Sequence, residues 1–580
     1  MRRFLLTAFT ATALAGCAAP GKTAGTTDAI PSPAPAPQAA AGPVRKVDLP
    51  AQELTRDVLF KLLVGEVAGQ RGEIGLAAEA YADLAKTTRD PRVAKRATEA
   101  AMYAQNPEMA IRASRIWMEA DPGDEAAAQT HASVLISTGD FDAAEPVLSA
   151  VLGRQGARIG PALLQVGSML NRSGDRPAAF AFARRVAAPY GKLPEANLML
   201  AQMAFNAGEG DVALELGRKA VEQRRDWEPA LLFVAQVLAS RDPAAATRYL
   251  AEASQRAPKS RAVGLAYARA LTGSNQYPAA LIEFKRMAQL FPKDGEIGVT
   301  VGALASQVGD HETAGQYLRM ALESDYSEKD NVRLMLGQVE ADRGNAEAAI
   351  KWFESIAPGT SVYMPAQVSI ARALLKQSGM EAARGHLRGI RTDSPIEQVQ
   401  LIMAEAGLLR ETGDDRGAFD MLEAATREYA GIADLWYDHG MAAERLDMLE
   451  VAEGSLRRVI ELKPDHAHAY NALGFSLADR NVRLLEARGY IEQALQLAPE
   501  DPYIIDSLGW VQFRLGEFEE AEKTLRRAMS IKDDPEVVAH LAEVLVKLDK
   551  AAEARKLIAG GLSKNPGNSA LQAAQSRLSP

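Results

Sequence analysis

One alanine recurs along this chain at a nearly constant spacing. It stands at Ala78, Ala110, Ala144, Ala179, Ala213, Ala246, Ala280, Ala314, Ala349, Ala383, Ala418, Ala452, Ala487, Ala521 and Ala554. The steps are 32 to 35 residues, and the 476 residues from first to last make fourteen steps of 34. A fixed period of this size marks units that cannot bury an apolar face alone and therefore stack on their neighbours. Other positions keep the same frame. Twelve residues before the alanine comes another small residue, as at Gly167, Ala201, Gly302, Gly337, Ala406, Gly440 and Gly509. Five before it stand Gly139, Gly174, Gly208, Gly309, Gly344, Gly413 and Gly516, and twelve after it Pro122, Pro258, Pro292, Pro464, Pro499 and Pro566. Two small residues let paired helices touch. Glycine takes the backbone angles that end a first helix, and proline stops a second. The period predicts an all-α chain of about fifteen helix–turn–helix repeats from roughly residue 54 to 568.

The rest of the sequence offers little chemistry. Lys and Arg number 66 against 75 Asp and Glu, a net charge of −9 with no block of one sign. That argues against nucleic acid or an anionic membrane surface as the main partner. Cys17 is the single cysteine, so no disulfide or thiolate metal cluster can form within the chain. Gly69-Gln70-Arg71-Gly72-Glu73-Ile74-Gly75 has neither the spacing nor the strand context of a nucleotide-binding loop, and reads as a turn. His311-Glu312 begins like a zinc-protease helix, but Gly315 stands where the second histidine should be. His466 and His468 lack a third ligand. His439 falls on a packing position. Asp506 and Ser507 precede Gly509 within a helix, not on a nucleophile elbow. The reading is a protein with no catalytic residues, no metal and no cofactor: not an enzyme.

The N-terminus carries an address. Arg2 and Arg3, the apolar run Phe4–Leu14 and then Ala15-Gly16-Cys17 form a signal peptide over residues 1–16, too short to span a bilayer. Leu14-Ala15-Gly16-Cys17 resembles the bacterial lipobox. The resemblance implies cleavage before Cys17 and lipidation of that residue. Ala18, where an Asp would favour inner-membrane retention, implies an outer-membrane anchor facing the periplasm. Residues 17–50, with Pro31-Ser32-Pro33-Ala34-Pro35-Ala36-Pro37, are expected to be a tether. It would reach roughly 100 Å extended and about 30 Å as a coil. Residues 51–580 are expected to be the repeat array.

Tyr470-Asn471-Ala472-Leu473-Gly474 through Pro499, then Asp506-Ser507-Leu508-Gly509-Trp510 with Gly516 and Ala521, resemble the tetratricopeptide repeat (TPR). That resemblance implies a right-handed superhelical solenoid that binds proteins or peptides in a groove lined by first-helix positions. Carried onto this chain, those positions include Asn471, Phe475, Asp506, Trp510, Phe513 and Arg514, with Tyr437, Met441, Arg445 and His468 upstream. An amide at Asn471 can both donate to and accept from a peptide backbone. Phe475, Trp510 and Phe513 suit apolar side chains, and Arg514 a carboxylate. The alternative is that these aromatics pack between repeats.

The first repeat has no predecessor to cover it. Leu54, Val58 and Leu62 make one helical line, Leu59, Leu63 and Val67 a second, and Phe60 and Val64 widen the apolar arc. Such a face is either a partner site or buried on its own second helix. The block Glu66-Val67-Ala68-Gly69-Gln70-Arg71-Gly72 is followed by Ala80-Tyr81, Thr88-Arg89-Asp90-Pro91-Arg92-Val93-Ala94-Lys95-Arg96-Ala97, Trp117 and Asp121-Pro122. With the C-terminal blocks it resembles the long TPR lipoproteins of Gram-negative bacteria typified by the binding partner of the carboxyl-terminal processing protease CtpA (LbcA-type). The resemblance implies an adaptor that brings cell-wall hydrolases to such a protease, with Leu59, Phe60, Leu63 and Val67 as contacts. The alternative is a scaffold for assembling a pilus, secretion machine or exopolysaccharide exporter; a module tethering a cell-wall enzyme is a third reading.

Overall fold

The computed structural model describes residues 49–578. The signal peptide, Cys17 and the tether up to residue 48 lie outside the described residues. Among those residues there are 31 α-helices and no strand, arranged as fifteen consecutive pairs with one closing helix, Ser569–Leu578. Each recurring alanine is the fourth residue of the second helix in its pair, or the fifth in the first pair. All fifteen are at most 3% exposed. The expected helix pairing and repeat number therefore stand.

The small residue of the first helix faces the second. A Cβ added at Gly302 would come 2.5 Å from Leu318 Cγ, and one at Gly509 2.5 Å from Leu525 Cγ. At Gly337 it would run into the Phe353 ring. The helices approach too closely there for any side chain. Aspartate starts ten of the helices. Asp90, Asp124, Asp140, Asp175, Asp242, Asp294, Asp310, Asp414, Asp501 and Asp534 each accept a hydrogen bond from a first-turn N–H. Part of the acidic balance thus sits at helix starts, where the macrodipole favours it.

The turn inside most pairs takes a left-handed residue. Gly139, Gly208, Gly309, Gly344, Gly413 and Gly516 have φ between +77° and +86°. The same frame position is left-handed without glycine at Gln105 (φ 53°), Asn275 (58°), Asp447 (57°) and Asp549 (59°). Gly174, expected to do the same, has no positive φ. The six prolines lie in the turns that close their pairs.

Contacts divide the chain into two compact units, up to Gly191 and from Lys192. The first holds four pairs, from Arg56–Gln70 with Ile74–Thr88 to Ile159–Leu170 with Arg176–Ala187. Tyr81, Ala97 and Trp117 lie in one of its cores. The second unit holds eleven pairs and the closing helix. Two of its second helices are short: Ala346–Glu354 has nine residues and Met380–Gly389 ten. Each buries only two side chains, Ala349 with Phe353 and Ala383 with Leu387. Beyond the latter, the buried carboxylate of Glu405 receives Arg384 at 2.6 Å and Arg388 at 2.8 Å, beside an apolar cluster of Ala371, Ala383, Leu387 and Leu408. Among the described residues no helix is long and apolar enough to cross a membrane.

Candidate protein-binding surfaces

The first surface is the helix Arg56–Gln70. Thr55 caps it, its hydroxyl accepting from Val58 N at 3.2 Å. Its inner side buries Gly65 and Ala68. A Cβ at Gly65 would lie 2.9 Å from the Tyr81 ring, so glycine sets how closely this helix sits on the next. Glu66 pairs with Arg96 at 2.6 Å, linking it to Pro91–Tyr103. Val58 and Leu62 turn partly inward, and Val64 joins Leu76, Met109 and Ile116 in lining an open groove of about 550 Å³. The other side has no cover. Leu59 is 42% exposed, Phe60 66%, Leu63 53% and Val67 44%, and Leu54 just before the helix is 69% exposed. Burial on its own second helix leaves these side chains in water.

The second surface lies on three successive first helices of the second unit, Ala467–Asp479, Pro502–Leu515 and Pro535–Lys547. Here the sequence candidates are engaged with one another. Asp506 is buried, and His540 Nδ1 meets both its carboxylate oxygens at 3.0 Å. Trp510 is buried in a stack, its ring centroid 4.3 Å from His540 and 5.1 Å from Phe513. Phe475, half-buried, reaches the same histidine at 6.3 Å. Arg514 donates through Nε to the Ala478 carbonyl at 3.1 Å and through Nη2 to the Asp479 carbonyl at 2.6 Å. It thus serves the C-terminal end of the preceding first helix, where the dipole favours a cation. Three buried polar atoms of this surface have no hydrogen-bond partner: Asn471 Oδ1, Trp510 Nε1 and Gln512 Oε1.

His540 is the residue that the sequence reading missed. Burial pushes its imidazole pKa down, but the charge and hydrogen bond of Asp506, with Glu543 and Glu536, outweigh that and leave it above the ordinary value. The signal was available: His540 lies 34 residues after Asp506, one full period, and a period brings equivalent positions of neighbouring repeats side by side. His439 is a core histidine, stacked on Phe419 at 4.9 Å with Nδ1 2.9 Å from Ser455 Oγ. Among the described residues no group of three His, Cys, Asp or Glu is placed to hold a metal.

Models of the tetratricopeptide repeat match residues 237–298, 302–361, 437–502 and 504–535. The chain is also 30% identical over 489 residues to the TPR repeat-containing protein PA4667 of Pseudomonas aeruginosa, covering 84% of this chain and 82% of that one. The chain is a tetratricopeptide-repeat protein. A weaker likeness, 22% over 232 residues, joins 39% of this TPR protein to 26% of the human protein O-mannosyl-transferase TMTC1. Among solved structures, the thermophilic TPR protein TTC0263 of Thermus thermophilus is 21% identical over 31% of this chain and 98% of that one, with a TM-score of 0.29. TPR proteins bind other proteins and are generally non-catalytic scaffolds.

Proposed function

We propose that this TPR protein is an outer-membrane lipoprotein, anchored through Cys17, that works in the periplasm as an adaptor. It holds a carboxyl-terminal processing protease and brings to it protein substrates, peptidoglycan hydrolases among them. The gain is in effective concentration: two partners held on one body meet as if at millimolar level, without any new contact between them. The observation that carries the reading is the uncovered apolar face Leu59, Phe60, Leu63 and Val67, in a protein whose family binds proteins. The lipobox-like Leu14–Cys17 and the N-terminal block support the location and the protease partner.

Affinity capture tests it. The chain with Cys17→Ser, incubated with periplasmic extract of its source, retains a carboxyl-terminal processing protease and cell-wall hydrolases. The variant Phe60→Asp with Leu63→Asp, at unchanged helical content, loses the protease. Retention of pilus, secretion or export components instead, or protease capture by the variant, refutes the assignment.

A further inference from the structure

The open groove of about 550 Å³ runs along Ile74–Thr88, between that helix and Pro107–Ala120. Its floor is low and apolar: Ala80, Met109 and Ala113 are buried there, and Leu76 at one end is 47% exposed. Of the charges that line it, Asp83 is held by Lys61 at 3.7 Å and Arg112 by Glu108 at 3.7 Å. Glu79 and Lys86 are exposed and make no ion pair among the described residues. The chain enters at the Lys86 end, where Gln52 donates through Nε2 to the Thr88 carbonyl at 2.8 Å. Just upstream stands Pro43-Val44-Arg45-Lys46-Val47-Asp48-Leu49-Pro50. We infer that the groove is filled by this chain's own segment Val44–Asp48, laid in extended form with Val44 toward Leu76 and Asp48 toward Lys86.

Attachment, length and charge register choose this occupant. The segment joins the described chain beside the groove, so its effective concentration there is on the order of millimolar, and contacts too weak to hold a separate peptide suffice. Proline at 50 holds the residue before it extended, which keeps the segment's exit straight. Four steps of a polyproline II chain cover about 12 Å, and ten helical rises from Leu76 to Lys86 give about 15 Å, so the segment fits the groove's length. Three residues per turn put Val44 and Val47 on one edge, toward the apolar floor, and Arg45 and Asp48 on the next. Arg45 and Asp48 then stand about 9 Å apart. Glu79 and Lys86, two turns apart on one helix face, are separated by about 10.5 Å of rise. With Asp48 at Lys86, Arg45 falls at Glu79, and both unpaired charges of the groove meet the opposite sign. The reverse direction sets like charge on like at both places, and the point of entry forbids it. The exposed stripe Leu59, Phe60, Leu63 and Val67 stays free for a partner.

Limited proteolysis of the full chain with Cys17→Ser, by a protease that cuts after arginine, tests the docking. The bond read is Arg45–Lys46, and a synthetic peptide of residues 40–52 in the same reaction gives the rate for the undocked sequence. The bond is expected to be cut about tenfold more slowly in the chain than in the peptide, since cleavage follows the undocked fraction. Leu76→Asp, at an exposed side chain and with an unchanged far-ultraviolet circular dichroism spectrum, is expected to recover most of the lost rate. That variant separates docking in the groove from mere nearness to the folded body. Lys86→Glu is expected to speed the cut about threefold at low salt, and adding Asp48→Lys to slow it again, each chain set against a peptide of its own sequence. Cleavage of the parent at the peptide's rate, or protection that survives Leu76→Asp, overturns the inference. A charge exchange that fails to restore protection overturns the register. The inference stands on the groove and not on the proposed partner: protection without protease capture leaves it intact and refutes the adaptor reading alone.

Discussion

Gly474 lies midway along Ala467–Asp479, where that helix comes closest to Leu484–Leu497. A Cβ there would stand 2.6 Å from Ile491 Cγ1 and 2.7 Å from the Ala487 carbonyl oxygen. The first atom belongs to a side chain that can turn, but the second is backbone, so the two helices must separate. Gly264, in Arg261–Gly273, makes the opposite case: its Cβ would meet Sδ and Cε of Met287, the far end of a flexible side chain. Replacing glycine by alanine within a helix gains about 1 kcal/mol. Overpacking costs about 1–3 kcal/mol, the upper part where backbone has to move. Gly474→Ala is therefore expected to lose about 1–2 kcal/mol, and Gly264→Ala to stay within about 0.5 kcal/mol of the parent. An array of this length does not unfold as one two-state unit, so the readout is hydrogen exchange of the amides in the affected pair. A loss of about 1.4 kcal/mol appears as tenfold faster exchange over residues 467–497. Unchanged protection in Gly474→Ala, or an equal loss in Gly264→Ala, would refute the argument that the facing carbonyl sets the cost.

Two further predictions use other features of the fold. Because Asp506 holds the His540 pKa above the ordinary value, the pair stabilises the folded state below about pH 6.5 and loses that effect as pH rises through the raised value. Burial lowers the pKa of His131, His386, His439 and His466, which must gain protons on unfolding and so act in the other direction. The clean measure is thus the difference between parent and His540→Gln in exchange over residues 502–547: it should be largest near pH 6 and shrink toward pH 9, and a pH-independent difference would sink the idea. Gln105 holds a left-handed turn where six other pairs use glycine, so Gln105→Gly should stabilise the pair by about 0.5–1 kcal/mol. Slower exchange over residues 91–120 supports this, and faster exchange contradicts it.

The repeat was legible because the positions that define it answer to backbone geometry. Ala78 through Ala554, Gly302, Gly337 and Gly509 mark places where two helices exclude any larger side chain, and that exclusion writes itself into the sequence at a fixed period. The turn was legible only where glycine marked it: Gln105, Asn275, Asp447 and Asp549 take the same conformation with no compositional signal. The C-terminal surface was legible in position but not in partnership. Frame counting placed Asp506, Trp510 and Arg514 together. It did not say that His540 would hold the first and stack on the second, or that backbone carbonyls would occupy the third. Those partnerships depend on how far one repeat is rotated on the next, a few degrees that hydrophobic periodicity does not encode.

The shortened second helix Met380–Gly389 sets how the second unit carries a mechanical load. A stack of equal units pulled from its ends frays from whichever end is freer. Here the grip is least in the interior, where the short Met380–Gly389 touches the helix after it, Pro395–Glu411, more sparingly than any other second helix of the unit touches its successor, and part of the hold falls to Arg384 and Arg388 on Glu405. Separating those charges lets water in at once, so the interface there has little resistance left once it has begun to open. Tension on this unit therefore finds its fuse in the middle, and the repeats on either side stay folded while it gives.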